Sequence, residues 1–161
     1  MTDKESSASR LQVDADDLIT ALQDHSYELV FFFDRQDGRV KLYSDGMMDG
    51  EAVEEDFDID EFLDDPRYEP IEGIDSRNAY RVMEEFVESL ESAADREVLF
   101  RALEGSKPFR RFKDALLDVG PVRERWFKFE EETYIDFAKD WLKDHDIEAD
   151  LVKTVRKPAE S

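Results

Sequence analysis

At 161 residues and 18.9 kDa the chain has room for one domain with a real hydrophobic core. Hydrophobic residues make up 40% of it and twelve are phenylalanine, which excludes a disordered acidic polymer. The net charge of −21 argues against general binding to duplex DNA or anionic membranes, and the lack of cysteine excludes disulfides and thiolate zinc sites.

Residues 1–12 are polar and are expected to be loose. Val13, Asp14, Asp16, Asp17 and Leu18 then read as a helix start. Asp14 caps it, the next two acids complement the dipole, Val13 staples onto Leu18, and Ile19 and Leu22 continue the stripe. Residues 27–34 are β-branched and aromatic, Asp37-Gly38 is a turn signal, and residues 39–43 alternate beyond it, so a β-hairpin is predicted. One face would carry Tyr27, Leu29, Phe31 and Phe33, the other Val30 and Phe32. A second apolar face needs a cover, either from the chain itself or from another copy in a homodimer. Residues 68–71 are a candidate third strand that Pro70 confines to an edge. Between them, residues 45–66 hold eleven acids and no base, which reads as solvated loop with one helical turn near 59–63.

From residue 74 onward the apolar spacing is helical. Asp75 or Ser76 caps a helix that turns Ala79, Val82, Met83, Phe86, Val87 and Leu90 inward, and Arg81 is placed to pair with Glu85 outside. Ser92 opens a second helix with Val98, Leu99, Ala102 and Leu103 inward and Gly105 as its stop. Pro108 suits a first helical position, with Phe109, Phe112, Leu116 and Val119 as the buried stripe. Gly120-Pro121 starts the longest helix, in which Val122, Trp126, Phe127, Phe129, Tyr134 and Trp141 face the core, to about residue 143. The expected class is therefore α+β: an N-terminal helix, a small antiparallel hairpin or three-stranded sheet, then a four-helix stretch. One domain over 13–147 is expected, with a flexible tail over 148–161.

Signals for chemistry are sparse. His25 and His145 both fall at predicted helix ends, where a lone histidine is a capping or dipole partner rather than a base. Asp56, Asp58 and Asp60 invite a calcium reading, but the sixth position is Glu61 instead of glycine and the twelfth is Arg67 instead of glutamate. Neighbouring carboxylates such as Glu84 and Glu85 are too common here to mark an acid–base pair. No catalytic residue, metal site or cofactor is expected. Asp outnumbers Glu by 23 to 20 and Arg outnumbers Lys by 13 to 9, the balance that suits a high-salt interior where screening removes self-repulsion. The start MTDKESSASR lacks a signal peptide's apolar centre and no stretch approaches a membrane span, so the expected location is the cytoplasm.

One segment departs from this background. Residues 105–128 carry seven bases against three acids, and Lys107, Arg110, Arg111 and Lys113 surround a predicted helix start, where backbone N–H groups favour anions. Either the segment binds a phosphate, RNA or an acidic partner, or its cations pair with the chain's own carboxylates; the second reading is favoured here. Ser76, Arg77 and Arg81 at the earlier helix start complete the candidate surface.

The blocks Ile74-Asp75-Ser76-Arg77-Asn78-Ala79-Tyr80, Met83-Glu84-Glu85-Phe86, Ala102-Leu103-Glu104-Gly105, Phe109-Arg110-Arg111-Phe112-Lys113-Asp114 and Glu124-Arg125-Trp126 resemble a bacterial family of uncharacterised proteins, number zero-one-five-eight. The similarity runs over most of residues 13–147. It implies a bacterial cytoplasmic protein and supplies no activity. Three readings follow: a non-catalytic interaction or regulatory module using the two helix starts, an anion or RNA binder using the same patch, and, ranked last, a carboxylate and metal-dependent hydrolase.

Overall fold

The computed structural model describes residues 11–26 and 28–153. Tyr27, the polar start over 1–10 and the tail from 154 onward lie outside the described residues. The chain groups into two compact units, with boundaries after Gly73 and after Tyr134.

The first unit begins with β1 (Leu11–Asp14) and α1 (Ala15–Gln23). Asp14 caps α1 by accepting the Asp17 N–H at 3.1 Å, and Val13 and Leu18 are both fully buried, as the helix-start reading requires. A hairpin follows, β2 (Val30–Asp34) and β3 (Arg39–Ser44), paired antiparallel with Phe33 opposite Val40. Its turn closes through the Gly38 N–H, which donates to the Asp34 carbonyl at 2.8 Å, with Gly38 at φ +75°. The acidic stretch is not only loop. It supplies β4 (Met47–Met48), β5 (Glu51–Ala52) and α2 (Ile59–Phe62), and β6 (Tyr68–Ile71) follows. The sheet therefore has five strands, in the order β5-β4-β3-β2-β6, with Pro70 on the edge strand as its missing donor demands.

Both faces of β2 are covered from within the chain. On one face Phe33 meets Trp141, with ring centroids 5.8 Å apart. On the other, Phe32 meets Phe62 and Tyr68, each at 5.6 Å, and Phe57 bridges Tyr43 and Phe62. The carboxylates of residues 45–66 are thus solvated while two phenylalanines among them roof the sheet. Gly73 is needed for a close approach: a Cβ there would lie 2.1 Å from the Asp24 carbonyl oxygen at the end of α1.

At the far end of the sequence, β7 (Ala149–Val152) pairs in parallel with β1, Leu11 opposite Ala149 and Asp14 opposite Val152. This corrects the expectation that 11–12 are loose and that the tail starts at 148. Strands of four residues carry too little periodicity to be read alone, and each acquires its hydrogen-bonding partner only in the fold.

The second unit holds α3 (Ser76–Glu88), α4 (Ala93–Leu103), α5 (Pro108–Leu116) and α6 (Pro121–Asp144) as far as Tyr134; the rest of α6 belongs to the first unit. Asp75 caps α3 by accepting the Asn78 N–H at 2.8 Å, and Ser92 caps α4 by accepting that of Asp95 at 3.2 Å. Trp126 is the centre of its core, with ring centroids 5.3 Å from Phe86, 5.0 Å from Phe112 and 6.2 Å from Phe129. Three residues assigned inward are exposed instead: Val98 at 40%, Phe109 at 37% and Phe127 at 48%. Val98 and Phe127 each adjoin a buried residue, Leu99 and Trp126, and one residue step turns a side chain about 100° around the helix. Phe109 lies at the rim of an inward arc that Phe112 and Leu116 already fill. Among the described residues no helix is long and apolar enough to cross a membrane.

The charge is divided unequally. Residues 74–134 carry fourteen acids and eleven bases, so only −3 of the total −21 resides in the second unit.

Candidate functional site

The two helix starts singled out by composition meet the same structural element. From α3, the Tyr80 hydroxyl donates to the Leu103 carbonyl at 3.0 Å. From α5, Arg111 reaches the same end of α4, its Nη1 donating to the Glu104 carbonyl at 2.6 Å and its Nη2 to the Arg101 carbonyl at 3.4 Å. The last turn of α4 thus brings the first turns of α3 and α5 to one end of the second unit. The carbonyls left open where a helix ends attract a guanidinium, which explains why Arg111 folds back here. Burial raises the Tyr80 phenol, and the nearby Glu84 and Glu104 carboxylates add to the rise, so the hydroxyl stays a donor.

The two starts differ chemically. At α3 the carboxylate of Asp75 already occupies the N-terminal anion position, so Asp75 and not Ser76 is the cap. At α5 the cap position is Lys107 in the left-handed region at φ 52°, with no side-chain hydrogen bond to the helix. Gly105, at φ +92°, and Pro108 let the chain enter α5 in this way.

All seven candidate side chains, Ser76, Arg77, Arg81, Lys107, Arg110, Arg111 and Lys113, are exposed. The favoured expectation paired Arg110, Arg111 and Lys113 with the chain's carboxylates, and Arg81 with Glu85. The structure does otherwise. Among the described residues Arg77, Arg81, Lys107, Arg110 and Lys113 form no ion pair, and Arg111 is held by carbonyls. The exposed partners of each cation are solvated, and a surface pair gains too little to overcome side-chain entropy. Lys113 acts only at longer range, on Glu130, whose carboxyl is raised by burial and partly lowered again by that ammonium. Around this segment Phe100 and Phe129 are half-buried, whereas Phe109, the sequence neighbour of Arg110, is exposed.

The best-organised polar cluster lies elsewhere, in the first unit, and composition did not reveal it. Asp34 ends β2 fully buried. Its carboxylate accepts Arg67 Nε at 2.8 Å and Nη2 at 2.9 Å, Lys41 Nζ at 2.7 Å, and the Gln36 N–H at 2.9 Å. Burial would raise this carboxyl, but Arg67 and Lys41 reverse the effect and hold it well below the usual carboxylate range. Beside it, Arg35 pairs with Glu69 at 2.8 Å and donates to the His145 carbonyl at 3.2 Å, while His145 Nδ1 lies 2.8 Å from the Trp141 carbonyl. These contacts join β2, the approach to β6 and the end of α6, which is a structural task. The usable signal was an aspartate closing an apolar run directly before a turn. Among the described residues no three His, Asp or Glu side chains gather as a metal site, the Asp56–Glu61 segment included.

The family model described as Uncharacterised protein family (UPF0158) matches residues 9–160. A protein of Pseudomonas aeruginosa named UPF0158 protein PA5073 is 26% identical over 140 residues, covering 86% of each chain. No solved structure matches the chain.

Proposed function

The chain belongs to the uncharacterised protein family UPF0158, and we propose that it is a non-catalytic interaction module. The partner is a macromolecule with an acidic surface, bound at the end of the second unit where α3, α4 and α5 meet. The observation that carries this reading is that Arg77, Arg81, Lys107 and Arg110 form no ion pair among the described residues, in a chain whose acids outnumber its bases by 43 to 22. Cations left unpaired amid such an excess gain most from an anion delivered from outside, especially at a helix start without a side-chain cap.

Arg111 is unsuitable for a test, because it holds the end of α4. Arg77→Glu with Arg110→Glu reverses two solvated charges and leaves every described hydrogen bond in place. The full chain should retain partners from native lysate that the double variant loses by about ten-fold or more. An identical captured set for both would remove this surface from consideration.

A second reading, an RNA or anion binder, draws support from Phe109, the exposed sequence neighbour of Arg110 at the start of α5. Binding of a single-stranded RNA should then fall steeply as salt rises from about 50 to 200 mM, and a flat response rejects it.

A further inference from the structure

We infer that His145 is a proton-operated clasp, which fastens the end of α6 to the sheet of the first unit when its imidazole is charged. The clasp is independent of the surface proposed above. Three residues from three elements form a closed circuit. Arg35, directly after β2, donates from Nη2 to Glu69 Oε1 of β6 at 2.8 Å and from Nη1 to the His145 carbonyl at 3.2 Å. His145 Nε2, 3.6 Å from Glu69 Oε2, completes the circuit. The first two links keep their character around neutral pH, whereas the third changes with the charge of the imidazole.

The other ring nitrogen decides where the imidazole takes up its proton. His145 Nδ1 lies 2.8 Å from the Trp141 carbonyl one turn back, and the imidazole lies over the Trp141 indole with ring centroids 4.3 Å apart. A carbonyl oxygen only accepts, so this hydrogen bond places a proton on Nδ1. The neutral ring held in that tautomer turns the Nε2 lone pair towards the carboxylate, acceptor against acceptor. A proton arriving at Nε2 converts the same contact into an ion pair.

Among the described residues, the charged groups bonded or paired to His145 are Glu69 from β6 and Arg35 after β2. Arg35 carries the opposing charge, but Glu69 engages it through Oε1, and the neighbouring Asp34 carboxylate is engaged by Lys41 and Arg67. Lys143, Asp144 and Asp146 are the charged neighbours of His145 along the chain. The imidazole is 30% exposed, which gives protons a route from solvent. β6 is an edge strand that pairs with β2 alone, so the clasp grips the sheet where no further strand holds it. The stability it adds is present while the imidazole is charged and is lost as the pH rises through the usual imidazole range.

The test begins with nitrogen NMR on the full chain, isotope-labelled at histidine and titrated from about pH 8 to about pH 5. His145→Asn assigns the signals. Neutral His145 should carry its proton on Nδ1, and its Nε2 signal should be the one that moves during the titration. Thermal melting then reads the clasp itself. The wild type should exceed Glu69→Gln by at least about 2 °C more at about pH 5.5 than at about pH 8, the shift expected of one partly exposed pair. In a His145→Asn background the effect of Glu69→Gln should be the same at both pH values. A neutral ring protonated on Nε2, or a gap between wild type and Glu69→Gln that does not widen at the lower pH, overturns the inference.

Discussion

Trp126→Ala should cost about 4 kcal/mol of stability in urea denaturation, the largest loss expected from any single truncation in the second unit. The indole is almost wholly buried and is the ring that Phe86, Phe112 and Phe129 all touch, so its removal leaves one cavity shared by three helices. The rings around that cavity are held by separate helices and cannot close over it together. Phe127→Ala, one residue on, removes a ring that is half in water and should change stability by less than about 1 kcal/mol. Equal losses at the two positions would mean that Trp126 is not the centre of this core.

Asp34→Asn should cost about 3 kcal/mol at neutral pH. The amide accepts from Arg67 with half the capacity of the carboxylate, and it leaves two cations facing a group without charge. The figure sits at the low end for a buried pair because Lys41 and Arg67 are partly exposed and keep some hydration. The pH dependence follows from the direction of the shift. In the fold this carboxyl lies below its ordinary value of 3.8, burial being outweighed by Arg67 and Lys41. A group depressed in this sense contributes stability that is complete well above 3.8 and is lost as the pH falls through and beneath that value. The gap between wild type and Asp34→Asn should therefore be constant from about pH 6 to 8 and shrink below about pH 4. Comparing the two proteins at each pH cancels the protonation of the other acids. A gap that persists unchanged at low pH would show that shape, rather than charge, makes Asp34 necessary.

Local rules accounted for the parts of the fold whose causes are local. Asp14, Asp75 and Ser92 cap the helices they were assigned to, because a cap needs only a side chain and an N–H three residues on. The Asp37-Gly38 turn and the edge position of Pro70 follow from backbone restrictions that travel with the residue type. What escaped depends on distant partners. Neither β1 nor β7 is a strand without the other, and nothing between them in sequence advertises the pairing. Asp34 looks like one acid among 43 until Lys41 and Arg67 are brought to it. Amphipathic spacing sorted residues by face but not by rim, which is why Val98, Phe109 and Phe127 were assigned inward. At the candidate surface, sequence identified the cations, and whether they were neutralised was a question of side-chain reach that only geometry answers.

The chain has two tryptophans, and each compact unit contains one: Trp126 in the second and Trp141 in the first. Intrinsic fluorescence is therefore a two-channel readout, once either indole is replaced by phenylalanine to silence its channel. Emission from Trp141 then tracks the sheet-bearing unit, and emission from Trp126 tracks the helical one. Superimposable melting curves in the two channels would mark a single cooperative transition, and curves that part would give each unit its own midpoint without cutting the chain.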